Sequence, residues 1–537
     1  MKHREKLLIW GLVLLFAILM SVPFIVPYTG WMTLIGIVPL LCMERIASMA
    51  GYKRIWIYHY SAFVLWNAIT TFWVCNATLG GGLFAIFANA FQMSLIFGLF
   101  RLSKRKFQGI LPYIFLMVCW IAWERFYFDA EISWPWLVMG NSFARTTWAV
   151  QWYEFTGVLG GSLWIWLCNL GVFGLLVSLS DGKWWEFNKK AKAAICIGLP
   201  LVFVLPFIIS PIVESRYKDS MNATEQMPVM IVQPNIDPYN KFEALTQSEQ
   251  NQIVLDQLEG LLASRKGDTL ATPLLIVAPE TFTGDIVVDN YDSSVTWRQF
   301  TSFLQDYPNT YMLFGASAYD YITSVEAPSH TARNVKDGLW VESHNSALMI
   351  DGNARTEIFH KSKLVVAVEM TPYPALFCKI DDMLGGVMGR CVGQDEVTLL
   401  HAADVPVGCA VCYESVYGEY YTDYIRKGAR MMTIITNDAW WGDTPGYKQH
   451  LSYASLRAIE TRRAIARCAN TGISAIISPT GEILEQTPWW EKAVICSSVP
   501  LLDDVTFFVA HGDIVGRVCN FLFILLLLAL VVRFLKK

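Results

Sequence analysis

Apolar residues in the first 213 positions come in long runs, and the polar residues between them are confined to short loops. A helix needs about 20 apolar residues to cross a bilayer. Eight runs approach or reach this length when one near the C-terminus is included. They predict a polytopic α-helical membrane domain with about eight spans. The predicted spans are 7–26, 31–47, 55–76, 83–100, 110–128, 154–178, 193–213 and 517–534.

Lys and Arg are concentrated in every second loop between these runs. The intervening loops hold only Arg145. Since cytoplasmic loops carry an excess of Lys and Arg, we expect both termini in the cytoplasm and residues 214–516 on the outer face. The basic segments are the N-terminus, 44–54, 101–106, 181–192 and the C-terminal tail.

Residues 214–516 alternate short, β-rich apolar runs with longer stretches of mixed polarity. Continuous apolar runs are typical of strands covered on both faces, so the class is α/β and layered. Asp351-Gly352 and PTGE at 479–482 predict hairpins, and the apolar spacing predicts helices over 244–264 and 447–468. The predicted strands are 227–233, 273–280, 311–318, 345–350, 405–412, 431–436 and 473–478.

Composition and charge support a division at about residue 213. The chain is 54% hydrophobic and 16% charged, against about 25% charged in soluble domains, which excludes disorder, collagen-like repeats and a small disulfide scaffold. The net charge of −4 separates into +8 for residues 1–213 and −12 for the remainder. We therefore expect a membrane domain over 1–213, an outward domain over 214–516 and a C-terminal transmembrane helix with a basic tail over 517–537. The acidic outward domain is not expected to bind nucleic acid.

Three outward segments each end a predicted strand with a reactive side chain: Glu280, Lys361 and Cys412. Strand ends are where ligands gather in α/β sheets. A desolvated carboxylate suits a general base, a lysine can stabilise an oxyanion, and a cysteine next to a lysine can be held as the nucleophilic thiolate. Taken alone, each residue also has a structural interpretation: a helix or turn cap, a solvated surface lysine and a buried core cysteine.

Other motifs leave alternatives open. Cys409 and Cys412 form one C-x-x-C, which could be a redox pair but lies in an apolar strand. Cys378 and Cys391 are candidates for a disulfide bridge, because an outward compartment is oxidising. The Glu124-Arg125 pair near the end of a predicted span is either an interfacial snorkelling pair or an anchor for a lipid headgroup or a loop. Phosphate-binding, dinucleotide-binding and zinc motifs are absent.

Several motifs resemble the nitrilase superfamily, whose triad has Glu, Lys and Cys in this order. A domain of this kind between seven N-terminal spans and one C-terminal span is similar to the apolipoprotein N-acyltransferase family. The resemblance implies a layered αββα sandwich on a membrane-spanning scaffold. The segments that carry it are the Glu-Arg and Trp-Pro-Trp stretch at 124–136, VQPNI at 232–236, APET at 278–281, CYES at 412–415, TNDAWWG at 436–442, the block 449–483 and GD at 512–513.

The resemblance implies a reaction in the bacterial inner membrane, with the catalytic domain on its periplasmic face. The cysteine attacks an acyl ester of a phospholipid and forms a thioester. The acyl chain then passes to the α-amino group of the lipid-modified N-terminal cysteine of an apolipoprotein, the last step of lipoprotein maturation. No metal or redox cofactor is expected.

The family's site residues map onto this chain as expectations. Glu280 is the base, Lys361 the oxyanion stabiliser and Cys412 the nucleophile. The supporting residues are Glu369 as a further active-site carboxylate, Tyr413 and Glu414 after the nucleophile, and Phe242 as an aromatic substrate contact.

One segment departs from the family pattern. The family reads K-x-x-L-V-P-F-G-E where this chain has KSKLVVAVE, so Val366 and Val368 replace Pro and Gly. We expect a lid after Glu369 that moves differently or admits a different substrate. Two other functions stay open from the sequence: a membrane-anchored amidase acting on a small amide, and a transporter or scaffold with a degenerate nitrilase-like domain.

Overall fold

The computed structural model describes residues 2–238, 241, 245–383, 386 and 388–536. The chain forms two units. Unit 1 comprises Met1–Arg216, Asp443–Leu456 and His511–Lys537, and unit 2 comprises Tyr217–Gly442 and Arg457–Ala510. Unit 1 is therefore discontinuous along the chain.

Helices make up unit 1, and further helices accompany the strands of unit 2. In chain order, the α-helices of the described residues are α1 (Lys2–Ile25), α2 (Thr33–Gly36), α3 (Val38–Met49), α4 (Ile55–Thr71), α5 (Val74–Ala77), α6 (Leu79–Ser103), α7 (Leu111–Asp129), α8 (Tyr153–Ser180), α9 (Lys183–Glu186), α10 (Lys189–Ala223), α11 (Gln247–Leu262), α12 (Val295–Leu304), α13 (Pro374–Met383), α14 (Gly418–Arg426), α15 (Pro445–Thr461), α16 (Phe507–His511) and α17 (Ile514–Leu535).

Six helical stretches of the described residues are long and apolar enough to cross a membrane. The predicted spans at 55–76 and 110–128 fall on α4 and α7, which have only 17 and 19 residues. The last turns of helix α7 also contain charged residues, which shortens its apolar part. The structure thus confirms a multi-pass membrane domain but not the count of eight spans. The six stretches are His3–Ile25, Gly30–Met49, Leu79–Ser103, Tyr153–Ser180, Lys189–Lys218 and Ile514–Leu535.

The Glu124-Arg125 pair anchors neighbouring segments of unit 1. Glu124 is buried, and its Oε1 accepts hydrogen bonds from Trp120 Nε1 at 3.1 Å and from the backbone N–H of Met139 at 2.9 Å. Arg125 lies 3.5 Å from the carboxylate of Asp513, just before α17. These contacts match the loop-anchor alternative for Glu124 rather than a snorkelling pair.

A second polar cluster of unit 1 is centred on Gln449 in α15. Its Oε1 accepts hydrogen bonds from Trp136 Nε1 at 2.7 Å and from Trp73 Nε1 at 3.3 Å, and its Nε2 donates to the carbonyl of Thr70 at 3.1 Å. All of these side chains are buried. We call Gln449, Trp73, Trp136 and Thr70 the Gln449 cluster. It joins the end of α4, the Trp-Pro-Trp loop and α15 through a single amide.

Unit 2 contains two sheets. The first has the order β14-β1-β2-β4-β6-β5, with β3 also paired to β4 and β7 to β6, and the second has the order β13-β12-β11-β10-β9-β8. The strands of the described residues are β1 (Gln226–Gln233), β2 (Leu274–Val277), β3 (Thr283–Val287), β4 (Thr310–Thr323), β5 (Arg333–Lys336), β6 (Leu339–Asp351), β7 (Thr356–His360), β8 (Leu400–Ala402), β9 (Val405–Val411), β10 (Met431–Thr436), β11 (Ile465–Ala469), β12 (Ala475–Ile477), β13 (Ile483–Gln486) and β14 (Ala493–Pro500).

The continuous apolar runs form the central strands. Strands β2 and β10 are buried at every position and pair in parallel with their neighbours β1, β4, β9 and β11. Helices α11 and α12 pack on the first sheet through buried Leu, Val and Phe side chains. This is an α/β sandwich, as predicted, in which β2 and β9 pair in parallel with neighbouring strands and β7 pairs antiparallel with β6.

Local predictions mostly agree with these elements. The hairpin at Asp351-Gly352 joins the antiparallel strands β6 and β7, and PTGE joins β12 and β13. The predicted helix over 447–468 is wrong at its end, because α15 stops at Thr461 and residues 465–469 form β11. The charged and apolar residues of RRAIARCA fit a helical face, but Arg462 adopts a positive φ of 49° and interrupts the helix.

Candidate active site

The three strand-end residues come from both sheets of unit 2. Lys361 directly follows β7, Cys412 directly follows β9, and Glu280 lies three residues beyond the end of β2. Lys361 Nζ is 3.2 Å from Glu280 Oε1 and 2.9 Å from Glu369 Oε1. The structure therefore joins Glu280, Lys361 and Glu369 in one cluster, which we call the Lys361 cluster.

Burial and charge oppose each other at Lys361. Its side chain is fully buried, and burial alone would lower the pKa of the ammonium. The negative charges of Glu369 and then Glu280 outweigh burial and hold the pKa of Lys361 well above its usual value. Lys361 is therefore a permanent cation between two carboxylates.

Asn345, in the middle of β6, is a site residue that sequence reasoning missed. Its Nδ2 lies 2.8 Å from Glu280 Oε1 and 2.7 Å from Glu369 Oε1, so one amide donates to the same two oxygens as Lys361. Asn345 is buried. The available signal was polarity: an asparagine just before the apolar run ALMI needs a hydrogen-bond partner if it is buried.

Backbone geometry fixes the position of Glu280. Its Oε2 accepts from the backbone N–H of Asn437 at 3.0 Å. Gly315 in β4 faces the same stretch of chain, and a Cβ at this position would lie 2.5 Å from the Cα of Glu280. Only glycine allows the two backbones to approach this closely. Both carboxylate oxygens of Glu280 are therefore held by donors, and the residue itself is fixed by a tight backbone contact.

Cys412 begins a short 3₁₀ helix, Cys412–Val416, and has a positive φ of 54°. Its Sγ lies 3.2 Å from Thr436 Oγ1. Burial and the negative charge of Glu280 raise the pKa of the thiol well above its usual value, and Lys361 lowers it by less. The thiolate beside Lys361 stays a prediction, and the direction of this pKa shift favours a thiol whose proton a base removes before attack.

Residues after β10 extend the site behind the thiol. Thr436 Oγ1 lies 2.8 Å from Asp438 Oδ1, and Asp438 Oδ2 pairs with Arg467 Nη2 at 2.5 Å. Asp438 and Arg467 are fully buried. The TNDAWWG motif pointed to this segment, but the sequence did not indicate that Arg467 would supply the counter-ion.

Glu414 connects the backbone near the lysine with the backbone near the nucleophile. One oxygen accepts from the N–H groups of Ser362 and Lys363, at 2.7 and 3.1 Å, and the other accepts from the N–H of Val411 at 2.7 Å. Tyr420 donates its hydroxyl at 2.8 Å. Burial raises the pKa of Glu414 to about 7, so this carboxyl titrates near neutrality.

The segment that departs from the family pattern forms a tight turn over the cluster. The backbone N–H of Val365 donates to Glu369 Oε2 at 2.7 Å, and Ala367 N–H donates to the carbonyl of Met370 at 2.8 Å. Ala367 has a positive φ of 66°, and Val368, where the family has glycine, is exposed. The turn thus places its left-handed residue one position before the family's glycine.

The remaining candidates have varied positions. Tyr413 is buried with its ring 5.3 Å from that of Tyr417. Phe242 lies outside the described residues. Cys378 and Cys391, the candidates for a bridge, are free thiols, and the redox alternative at Cys409 is disfavoured because this free thiol is fully buried in β9. Within the described residues, no group of three or more His, Cys, Asp or Glu side chains could hold a metal ion.

Comparison with known proteins now defines the class. Residues 275–503, which contain Glu280, Lys361 and Cys412, match the family model described as carbon-nitrogen hydrolase. Unit 2 is therefore a nitrilase-like domain. A crystal structure of Saccharomyces cerevisiae Nit3, a member of branch 10 of the nitrilase superfamily, aligns with a TM-score of 0.36 at 13% identity, over 51% of this chain and 90% of that one.

The membrane region identifies the family. Residues 16–171 match the model described as apolipoprotein N-acyltransferase N-terminal domain. The apolipoprotein N-acyltransferase of Chlorobaculum tepidum is 30% identical over 507 residues, covering 90% of this chain and 89% of the relative. Apolipoprotein N-acyltransferase 1 of Treponema denticola is 22% identical and covers 99% of both chains. The chain belongs to the apolipoprotein N-acyltransferase family and is a multi-pass membrane acyltransferase of the nitrilase superfamily.

Proposed function

We propose that this chain transfers a fatty acyl chain from a membrane phospholipid to the α-amino group of the lipid-modified N-terminal cysteine of an apolipoprotein, through a thioester at Cys412. The observation that carries this proposal is the Lys361 cluster, in which the Lys361 ammonium lies within 3.2 Å of Glu280 and 2.9 Å of Glu369. Membership of the acyltransferase family supports the donor and acceptor classes.

In the first half-reaction, Glu280 accepts the thiol proton as Sγ bonds to the ester carbonyl carbon. The negative charge that develops on the carbonyl oxygen is stabilised by the permanent cation Lys361. When the C–O bond to glycerol breaks, the proton passes from Glu280 to the leaving oxygen. The products are a lysophospholipid and the Cys412 thioester.

In the second half-reaction, the acceptor's α-amino nitrogen bonds to the thioester carbonyl carbon. Glu280 takes a proton from the nitrogen, the C–S bond breaks and the proton returns to Cys412. Glu369 and Asn345 keep the base Glu280 and the cation Lys361 in position: Glu369 pairs with Lys361, and Asn345 donates to both carboxylates. The chemistry draws only on side chains, so we propose no metal or redox cofactor.

We assign supporting roles to three further residues. Glu414 orients the backbone around both Lys361 and Cys412, Tyr413 lines the site after the nucleophile, and Phe242 contacts substrate. The four donors around Glu414 support the first role; the other two rest on the family resemblance.

We also propose the arrangement of the chain in the bacterial inner membrane. Eight spans place both termini in the cytoplasm and the catalytic domain, residues 214–516, on the periplasmic face. This domain lies along the chain between the membrane domain, 1–213, and the C-terminal helix with its basic tail, 517–537. The alternating basic loops support this orientation.

The reaction is tested with purified full-length protein and a phospholipid labelled in its acyl chains. We expect a hydroxylamine-labile label on Cys412 and, after addition of a diacylated lipopeptide, an intact-mass gain of one acyl chain. Cys496→Ser, which changes an exposed thiol, is the matched control and should react normally. Full acyl transfer by Cys412→Ala contradicts the assignment, and ammonia release from small amides without transfer to the lipopeptide favours the amidase alternative.

Orientation is tested with the same exposed thiol. A membrane-impermeant maleimide should label Cys496 in spheroplasts without permeabilisation, and the label should disappear in Cys496→Ser. Labelling only after the membrane is permeabilised would place residues 214–516 in the cytoplasm.

A further inference from the structure

The nucleophile needs support on both sides, because a non-glycine residue with φ of 54° is strained and stays in place only when its surroundings hold it. On the N-terminal side, Glu414 holds the N–H of Val411. On the C-terminal side, the 3₁₀ helix ends at Val416, and the carbonyl of Val416 accepts a hydrogen bond from Arg457 Nη1 at 2.7 Å.

Arg457 and its neighbour Glu460 are both fully buried, and Arg457 Nε lies 2.7 Å from Glu460 Oε2. The two residues are almost one turn apart on α15. A buried guanidinium requires such a counter-ion, because an unpaired charge in the interior is strongly destabilising. Glu460 thus makes it possible for a charged donor to face the Val416 carbonyl.

Because Gly418 has no side chain, the Arg457–Glu460 ion pair can occupy the space beside its backbone. A Cβ on Gly418 would lie 2.9 Å from Glu460 Oε2 and 3.3 Å from the Arg457 Cζ. The chain passes here from the nucleophile's 3₁₀ helix into α14. The ion pair therefore packs directly on the backbone that follows Cys412.

We infer that Arg457, with Glu460 as its counter-ion, is a positioning residue for the nucleophile: it fixes the Val416 carbonyl and so keeps the Cys412–Val416 helix in the conformation that presents the thiol. This inference rests on the proposed role of Cys412. Arg457 acts through the backbone and does not touch substrate.

Arg463 is a matched control for Arg457. It is also a buried arginine that donates to backbone carbonyls, those of Ala429 at 2.7 Å and Asp504 at 2.8 Å. Neither carbonyl belongs to the site. A change at Arg463 therefore reports the general effect of altering a buried arginine in unit 2.

The experiment compares Arg457→Lys with Arg463→Lys in the full-length protein. Lysine keeps the charge but cannot face Glu460 and donate to Val416 with the same planar geometry. Single-turnover thioester formation at saturating phospholipid should fall roughly tenfold to a hundredfold in Arg457→Lys, with KM for phospholipid within about twofold of the native value. Arg463→Lys should keep its rate per folded molecule, as judged by thermal unfolding.

A second readout needs no lipid. The alkylation rate of Cys412 by iodoacetamide, followed by peptide mass spectrometry over pH 6–9, should change in Arg457→Lys and not in Arg463→Lys. Equal losses in the two variants, or an unchanged rate in Arg457→Lys, would overturn the inference. If acyl transfer instead survives Cys412→Ala, the proposed function fails while the alkylation result still decides the positioning role.

A smaller perturbation covers the case in which Arg457→Lys does not fold. Gly418→Ala places a methyl group against the ion pair without removing a charge. We expect an intermediate loss of thioester formation and the same shift in Cys412 alkylation. Native behaviour of Gly418→Ala in both assays would contradict the inference.

Discussion

The Gln449 cluster and the Lys361 cluster are each held together by one buried side chain that contacts several partners, but they differ in charge. Gln449 is neutral, and its amide matches two indole N–H groups with one oxygen and one backbone carbonyl with its nitrogen. Lys361 faces two carboxylates, and the Asn345 amide donates to the same two oxygens.

The difference separates a structural cluster from a reactive one. In the Gln449 cluster each of these polar groups has a neutral hydrogen-bond partner, so the cluster contains no acid–base pair that could transfer a proton. The Lys361 cluster places two carboxylates against one ammonium, and the Cys412 thiol feels the charges of both Glu280, which raises its pKa, and Lys361, which lowers it by less. Buried charge that is not balanced is costly to maintain, and the proposed reaction uses it to accept a proton.

Removal of Lys361 should have the largest effect. Lys361→Met leaves the carboxylates of buried Glu280 and half-buried Glu369 without their cation and removes the proposed oxyanion stabiliser, so thioester formation should fall by about 10³-fold or more. Rapid-quench measurement of the acyl-enzyme checks this. Lys363→Met, two residues on and with its ammonium over the rings of Tyr417 and Tyr420, should retain activity within about fivefold; a loss equal to that of Lys361→Met would contradict the comparison.

Glu414 should make stability depend on pH. Its pKa in the folded protein, about 7, lies above the 4.5 of an ordinary glutamate. The folded state therefore binds the proton more tightly, and the resulting stabilisation is full below pH 4.5 and is lost as pH rises to about 7, by about 3 kcal/mol. Thermal unfolding in detergent at pH 5 and pH 8 measures the difference. The dependence of stability on pH should be weaker in Glu414→Gln. An unchanged dependence in this variant would show that other groups cause it.

Asn345 should matter through its contacts with both carboxylates. Asn345→Leu has a similar volume but no donor, so Glu280 and Glu369 each lose a hydrogen bond. We expect thioester formation to fall about tenfold to a hundredfold, with KM for phospholipid little changed. A change in KM alone would indicate a substrate contact instead of a role in ordering the carboxylates.

Gln449→Leu should have the smallest effect on chemistry and act on stability. The substitution leaves the indole N–H groups of Trp73 and Trp136 without this acceptor and should destabilise unit 1 by about 1–2 kcal/mol. Activity per folded molecule should stay within about twofold, which thermal unfolding and acyl transfer on the same sample can establish. Loss of activity without loss of stability would remove the distinction between the two clusters.

Glu280, Lys361 and Cys412 share one property: each stands at or just beyond the end of a strand. Sequence analysis could identify them because strand ends can be recognised along the chain and are where ligands gather in α/β folds. Asn345 lies inside β6 and contacts a carboxylate 65 positions away. Pairings of that kind depend on which distant strands become neighbours in a sheet, here β2, β4 and β6, which local periodicity does not encode.

The membrane region shows the same limit. Hydropathy identified the long apolar helices, but the last turns of α7 contain charged residues with buried partners, as Glu124 has in the backbone N–H of Met139. The segment Asp443–Leu456 of unit 1 has no apolar run that would mark it as part of the membrane unit.

The discontinuity of unit 1 has a consequence for biosynthesis. Residue 449 is made more than 300 positions after Trp136, and at a synthesis rate of about 5–20 residues per second the two indoles wait roughly 15–60 seconds for their acceptor. During this interval unit 1 lacks both Asp443–Leu456 and the last helix, while much of unit 2 is emerging. The membrane unit can therefore complete its packing only near the end of translation, and until then Trp73 and Trp136 lack the Gln449 acceptor.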